Sequence, residues 1–288
     1  VTTATGSRAL ATGAVTLTIP PADLPKFYIG QKVRLAASPD QGGSTAGLAD
    51  GTVIAGSGNQ LSIDLTNIRY GAGQTFTAWV IAAAWKVIVS PRAQGENGSV
   101  QYRTANGADP AACRTLTNGP ASTAAMEALN AGTVVYPMAR WVTDINNGGG
   151  INGYRDWYIP ARDELELLWR NLKPVTNNNF VGDRPVSAFT YNRDANISTL
   201  GQNGTNDNSE PVGAAYTATV PAQTAATPFR SGGTEALTFG SAYYWASSEF
   251  SAYYAWNQNY STSSPGAQSN SGNKGNLTRA RAVRRSIL

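Results

Sequence analysis

The sequence predicts an α+β fold in two parts, and three observations lead there. Residues 1–85 hold short runs of alternating apolar and polar residues separated by Gly-, Pro- and Asn-rich turns, the pattern of a small all-β sandwich or barrel. Two later stretches carry apolar residues at helical spacing and end in helix stop signals. From Tyr243 onward the period returns to two, now with Tyr, Trp, Ser and Asn in the alternating positions.

In chain order, residues 14–19, 31–35, 51–54, 60–65 and 75–81 read as strands. The clusters at 20–21, 38–43, 56–59 and 71–73 supply the turns, because Gly, Pro and Asn adopt the backbone angles that strands do not. Residues 82–85 close this domain and 86–91 open the next. No low-complexity linker lies between them, so the domains 1–85 and 86–288 are expected to pack directly.

In the second domain, residues 122–131 read as a helix. Ser122 or Thr123 is its cap, Met126 and Leu129 lie on one side, and Gly132 is the stop. Residues 161–172 read as another. Asp163 and Glu164 occupy the first turn, where the helix dipole favours them, and Leu165, Leu168, Trp169 and Leu172 form one face before Lys173-Pro174. Residues 176–240 are a long Asn-, Gly- and Pro-rich insert of little periodicity, a kind of segment that is functional or disordered.

The C-terminal run opens with Tyr243-Tyr244-Trp245-Ala246-Ser247-Ser248-Glu249 and continues through Phe250 to Tyr260 with more aromatic and amide residues. It is then polar to Asn276 and closes on Arg281-Ala282-Val283-Arg284-Arg285. Tyr, Ser, Asn and Gly combine large amphipathic contact area with adaptable hydrogen bonding, as binding loops do. If residues 255–261 are a strand, Trp256, Gln258 and Tyr260 share one face and Asn257, Asn259 and Ser261 the other, so that one face anchors and the other is offered. Residues 269–274 contain no typical core residue and are expected at the surface.

These C-terminal motifs, with Ala255-Trp256 between them, resemble the end of the C-type-lectin-fold variable proteins of diversity-generating retroelements. Upstream, Asn152-Gly153-Tyr154-Arg155-Asp156-Trp157-Tyr158-Ile159-Pro160, followed by an acidic helix start, resembles a second signature of that family, and the likeness runs from about Lys86 to the end. Phage tail-fibre receptor-binding proteins of the major tropism determinant type share the fold. The resemblance implies a C-type-lectin-like second domain, two helices against a twisted antiparallel sheet. The first domain is similar to a structural or assembly module of phage tail proteins in its Gly30-Gln31-Lys32-Val33-Arg34 strand, Leu61-Ser62-Ile63-Asp64 and Phe76-Thr77-Ala78-Trp79.

The resemblance also implies a division of labour. The retroelement rewrites template adenines, so an asparagine codon can become most small, polar or aromatic residues but not Trp, Gln, Lys, Glu or Met. Trp245, Glu249, Trp256, Gln258, Gln268 and Lys274 are then framework. Phe250, Ala252, Tyr253, Tyr254, Asn257, Asn259, Ser261, Ser264, Ser269, Ser271, Asn273 and Asn276 are admissible as ligand-binding, variable positions. Trp245, Glu249, Trp256, Arg281 and Arg284 are expected to hold the scaffold, the tryptophans as core anchors and the arginines bonding loop backbone or carboxylates.

Composition removes most enzymes from view. There is no histidine, the commonest general base and metal ligand, which excludes Ser-His-Asp and zinc-hydrolase chemistry. Cys113 is the single cysteine, so no internal disulfide and no thiolate metal cluster can form, and the cysteine pair of formylglycine-generating enzymes, which share the lectin-like fold, is missing. Asp163, Glu164, Glu166, Asp207 and Glu210 are raw material for a carboxylate pair, yet the first three read as solvated helix charges. Asp207 and Glu210 with Asn206 and Asn208 lack the spacing of a calcium loop, and Glu210-Pro211-Val212 is not the Glu-Pro-Asn of calcium-dependent sugar lectins. Hence no catalytic residue, metal or cofactor is expected.

Charged residues make up only 14% of the chain and the net charge is +4, with Arg279, Arg281, Arg284 and Arg285 clustered in an alternating terminus that suits packing better than nucleic acid. No apolar run approaches the roughly 18 residues of a membrane span. Val1 in place of an initiator methionine suggests a piece of a longer chain. The expectation is therefore a non-enzymatic receptor-binding protein, the adhesin of a distal phage tail fibre, synthesised in the host cytoplasm and carried on the virion. It would attach to a host cell-surface receptor, protein or glycan. A homotrimer would multiply weak single-site affinity, with no nucleic acid and no membrane insertion. The alternatives are a structural virion component whose lectin-like domain binds another virion protein, and a bacterial surface adhesin.

Overall fold

The computed structural model describes residues 2–29, 31–37, 48–70, 75–83, 85–180, 204–206 and 214–287, and shows a mixed α+β chain that is mostly sheet. It divides into two compact units, Val1–Lys86 with Arg285–Leu288, and Val87–Arg284.

The first unit is a closed six-stranded barrel. Its strands are β1 (Thr2–Ala9), β2 (Gly13–Thr18), β3 (Lys32–Ala37), β4 (Leu48–Ser57), β5 (Gln60–Tyr70) and β6 (Thr75–Ala83), in the order β1-β2-β5-β4-β3-β6. Alternation explains the core: Leu61, Ile63 and Leu65 of β5 point inward with Leu17, Val33, Leu35 and Val53. Gly58 at φ 60° makes the tight β4–β5 turn, where a side chain would be strained. Gly51 lets β4 approach β5, since a Cβ there would meet Asp64 O at 2.7 Å. The strand absent from the sequence reading is β1, whose Thr-, Gly- and Ser-rich run gives little alternation although it closes the barrel on β6.

The second unit is built on a five-stranded sheet of β8 (Glu96–Gln101), β11 (Ser241–Glu249), β12 (Tyr254–Ser261), β13 (Gln268–Asn273) and β14 (Leu277–Arg281). Its order is β13-β12-β11-β14-β8. Neighbours are antiparallel except β11 and β14, which run parallel. Two further strands, β7 (Trp85–Val89) and β15 (Val283–Ile287), pair with each other, and β9 (Gly204–Asn206) pairs with β10 (Ala214–Tyr216).

Among the described residues, four α-helices accompany this sheet: the single turn α1 (Arg92–Gly95), α2 (Gly119–Ala128), α3 (Pro137–Asn147) and α4 (Arg162–Leu172). Helix α2 starts earlier than its sequence suggests. Asn118 rather than Ser122 is the cap, its side chain accepting from Ala121 N at 3.3 Å, and Pro120 sits in the first turn. Leu129 is exposed rather than on the core face. Helix α3 is a third substantial helix where two were expected. No side chain caps its start, but Pro137 at the first helical position, Met138, Trp141, Val142 and Ile145 at helical spacing and Gly148 just past the end all mark it, and Met138, Ala139 and Val142 bury one face.

The sheet carries a core on each side. Trp245 and Ala255 join the cluster built with Met126, Met138 and Val142 of α2 and α3. Tyr244, Ala246, Trp256 and Tyr260 join the cluster built with Leu165, Leu168 and Trp169 of α4. The central strands β11 and β12 are thus covered on both faces, which decides where a site can lie.

Of the insert at 176–240, residues 181–203 and 207–213, including Asp207 and Glu210, lie outside the described residues. Described residues on either side pack on α4. Asn179 Oδ1 accepts from Trp169 Nε1 at 3.0 Å, Asn179 Nδ2 donates to Thr217 O and Pro221 O, and the Tyr216 hydroxyl bonds Glu166 at 2.5 Å.

Candidate functional site

The turn between β11 and β12 is short and held from several sides. Phe250 N and Ser251 N both donate to Tyr254 O at 3.0 and 2.9 Å, and Ser251 Oγ accepts from Tyr253 N and Tyr254 N at 3.3 and 3.2 Å. From outside the hairpin, Gly107 N donates to Ala252 O at 2.8 Å and Lys274 N to Tyr253 O at 3.1 Å. The backbone is fixed while the side chains of Tyr253 and Tyr254 are 59% and 40% exposed. Large aromatic rings on a pre-organised backbone bind with little loss of entropy.

Around this pair lie several of the other candidates. Asn273 stands opposite Tyr254 across the β12–β13 ladder and is half-buried, as are Phe250, Ala252 and Ser269. Ser271 and Asn276 are exposed, and the Ser269 and Ser271 hydroxyls bond each other at 2.8 Å. Tyr243, not among the predicted variable positions, is also exposed, one strand further along on β11.

Four candidates are placed differently. Asn257, Asn259, Ser261 and Ser264 are buried. Asn259 Nδ2 donates to Ser264 Oγ at 2.5 Å and its Oδ1 accepts from Ser261 N at 2.7 Å, so these groups serve the β12–β13 connection. The expectation that 257, 259 and 261 form an offered face is therefore corrected: β12 alternates as expected, but both of its faces are covered. The expectation that 269–274 lies wholly at the surface is corrected too, because Asn270 and Lys274 are buried.

Beneath the turn is the frame. Trp245 is buried with Nε1 donating to Val100 O at 3.0 Å, and Trp256 is buried edge-on to Phe250 with the Arg162 guanidinium 4.8 Å from its ring. Glu249 accepts from Asp109 N at 2.9 Å and from Lys274 Nζ at 3.0 Å. Arg281 is wholly buried, with Nε and NH2 on Ser90 O at 3.0 and 2.7 Å and NH1 on Glu96 Oε2 at 2.8 Å. Arg284 forks onto Asp156 at 2.7 and 3.0 Å and stacks 3.8 Å from the Tyr154 ring, away from the turn's strands.

The carboxylates of α4 correct another expectation. Glu164 and Glu166 are buried, not solvated. Glu164 accepts from Gly119 N, Ala161 N and the Tyr158 hydroxyl at 3.0, 2.9 and 2.8 Å, capping α4 and tying α2 to it. Burial pushes the Glu166 carboxyl up to about 7, against the pull of Arg170 and the Tyr216 hydroxyl.

A second polar cluster lies under the turn, and sequence reasoning missed most of it. Asp109 is buried, its two oxygens accepting from the Tyr102 hydroxyl at 2.7 Å and the Tyr136 hydroxyl at 3.0 Å, with Lys274 Nζ at 2.9 Å. Burial and the neighbouring Asp109 push both the Tyr136 and the Tyr102 hydroxyls well above the usual phenol range, so both remain donors. A lone aspartate far from the C-terminal motifs carried no signal of this role.

No helix among the described residues is long and apolar enough to cross a membrane. The sequence matches no family model, and no curated protein matches it.

Proposed function

We propose that the chain is a receptor-binding protein, the adhesin of a distal phage tail fibre, whose second unit has the C-type-lectin-like arrangement and whose barrel attaches or assembles it. The observation that carries this reading is the Tyr253–Tyr254 turn: two exposed aromatic residues on a backbone held within the hairpin by Ser251 and Tyr254 and from outside by Gly107 and Lys274, bordered by Ser271, Asn273 and Asn276. Interfaces draw most of their energy from such central aromatic anchors. The positions admissible to a retroelement that remain at or near the surface are Phe250, Ala252, Tyr253, Tyr254, Ser269, Ser271, Asn273 and Asn276, while Trp245, Glu249, Trp256 and Lys274 lie beneath them as a constant frame. Presentation as a homotrimer would multiply a modest single-site affinity.

The test is adsorption. Purified protein should bind cells of the host, and the Tyr253→Ala/Tyr254→Ala double variant should lose about 2–4 kcal/mol of binding, roughly 30- to 1,000-fold, with its thermal unfolding within about 0.5 kcal/mol of the parent. Particles carrying the variant should assemble normally. Full adsorption by the double variant refutes the site, and defective assembly points to contact with another virion protein instead.

A further inference from the structure

Lys274 is placed where a lysine is least expected. It follows β13 in the turn to β14, and its backbone is pinned by Tyr253 O and Arg103 N at 3.1 and 3.0 Å. Its side chain has no exposed surface, and Nζ lies 2.9 Å from Asp109 Oδ2, 3.0 Å from Glu249 Oε1 and 3.0 Å from Gly107 O. Both carboxylates are buried, Asp109 completely. Arg103 stands 3.6 Å from Asp109 and Arg114 3.4 Å from Glu249, each on the more exposed side of the cluster. Tyr102, Tyr136, Cys113 and Trp245 form the surrounding apolar wall. Charges so placed carry a large desolvation penalty, which a neutral amide between the same two residues would remove.

We propose that Lys274 and Asp109 condense into an intramolecular isopeptide bond, Nζ to Cγ, with Glu249 as the proton carrier. One ammonium proton passes to Asp109 Oδ2, which turns the ion pair into a free amine and a carboxylic acid. The nitrogen lone pair attacks Cγ, and the C=O π pair moves onto Oδ1, where the Tyr136 hydroxyl donates. Glu249 Oε1 takes a second proton from the attacking nitrogen and returns it to the Oδ2 hydroxyl, which the Tyr102 hydroxyl holds. The Cγ–Oδ2 bond breaks, water departs, the carbonyl re-forms at Oδ1, and Glu249 is a carboxylate again. An ammonium and a carboxylate have become an amide and one water, with no oxidant, reductant or further reactant. Fixed backbones on both sides supply the proximity that makes such a step intramolecular.

The bond would join the loop before the short 3-10 helix Ala111–Arg114 to the β13–β14 turn, clamping the base of the Tyr253–Tyr254 turn from below. It is a statement about covalent structure and stands whether or not that turn binds a receptor.

Mass spectrometry of the full chain under denaturing conditions is the test. The purified protein is expected to be lighter than its sequence by one water. Proteolysis is expected to release one branched peptide containing both Asp109 and Lys274. The Glu249→Gln variant is expected to have the full sequence mass, with both residues in separate, linear peptides. A parent protein of full sequence mass overturns the proposal, as does a loss of water with Asp109 and Lys274 in separate peptides. A Glu249→Gln variant that is still branched overturns the role given to Glu249. Should that variant fail to fold, the parent's mass and peptide map decide alone.

Discussion

Replacing Arg281 by methionine probes the frame that holds the sheet. The methionine keeps much of the stem's volume but none of the donors. Ser90 O loses both of its guanidinium contacts, Glu235 loses one at 3.2 Å, and Glu96 loses the 2.8 Å bond from NH1. Breaking a buried pair by removing one partner costs about 3–5 kcal/mol, because the other charge stays buried. Glu96, however, keeps Arg279 at 3.2 Å, Arg92 at 3.5 Å and the Tyr244 hydroxyl at 3.0 Å. These remaining partners place the expectation at the low end, about 3 kcal/mol, or about 6–12 °C in Tm for a unit of this size. Denaturant unfolding followed by tryptophan fluorescence, with calorimetry beside it, measures the loss. A change under about 1 kcal/mol would show instead that the bonds to Ser90 and Glu96 contribute little net stability.

Other outcomes follow from the same packing. Gly119→Ala places a Cβ 2.4 Å from Glu164 Oε2 and 2.7 Å from Ile159 O, so the variant should lose about 1–3 kcal/mol by chemical denaturation. Glu166 holds its proton more tightly in the native state, up to about 7, than in the unfolded chain. The stability this gives is complete below the unfolded carboxyl range and is lost as pH rises through about 7, so Glu166→Gln should flatten the decline between about pH 5 and pH 8 by roughly 2–3 kcal/mol. Parallel pH-dependent unfolding curves for variant and parent would contradict that assignment.

The barrel was largely legible because its strands alternate Leu, Ile and Val with polar residues, and sequence periodicity reports such faces directly. Strand β1 was not, since it lacks large apolar residues; helix α3 was legible from Pro137, from Met138, Trp141, Val142 and Ile145 at helical spacing and from Gly148, and lacks only a side-chain cap. In the candidate site, period two correctly grouped Asn257 with Asn259 and Ser261, but it cannot say whether a face is covered. That depended on α2 and α3 lying over the sheet opposite α4. Polar residue type misled for Glu164, Glu166 and Lys274 alike. Each is buried through partners distant in sequence, Gly119, Tyr216 and Asp109, and such pairings leave no local pattern.

In the function proposed above, an exposed turn varies over an invariant frame to contact a receptor. Sequencing the encoding locus across residues 243–285 in a population of the source tests it most directly. Codon differences are expected to concentrate at the exposed and half-buried positions, Tyr253, Tyr254, Ser271, Asn273 and Asn276 foremost, with a nearby asparagine-rich template copy and no change at Trp245, Glu249, Trp256 or Lys274. Uniform codons with no template, or changes falling on those frame residues as often as on the turn, would contradict it.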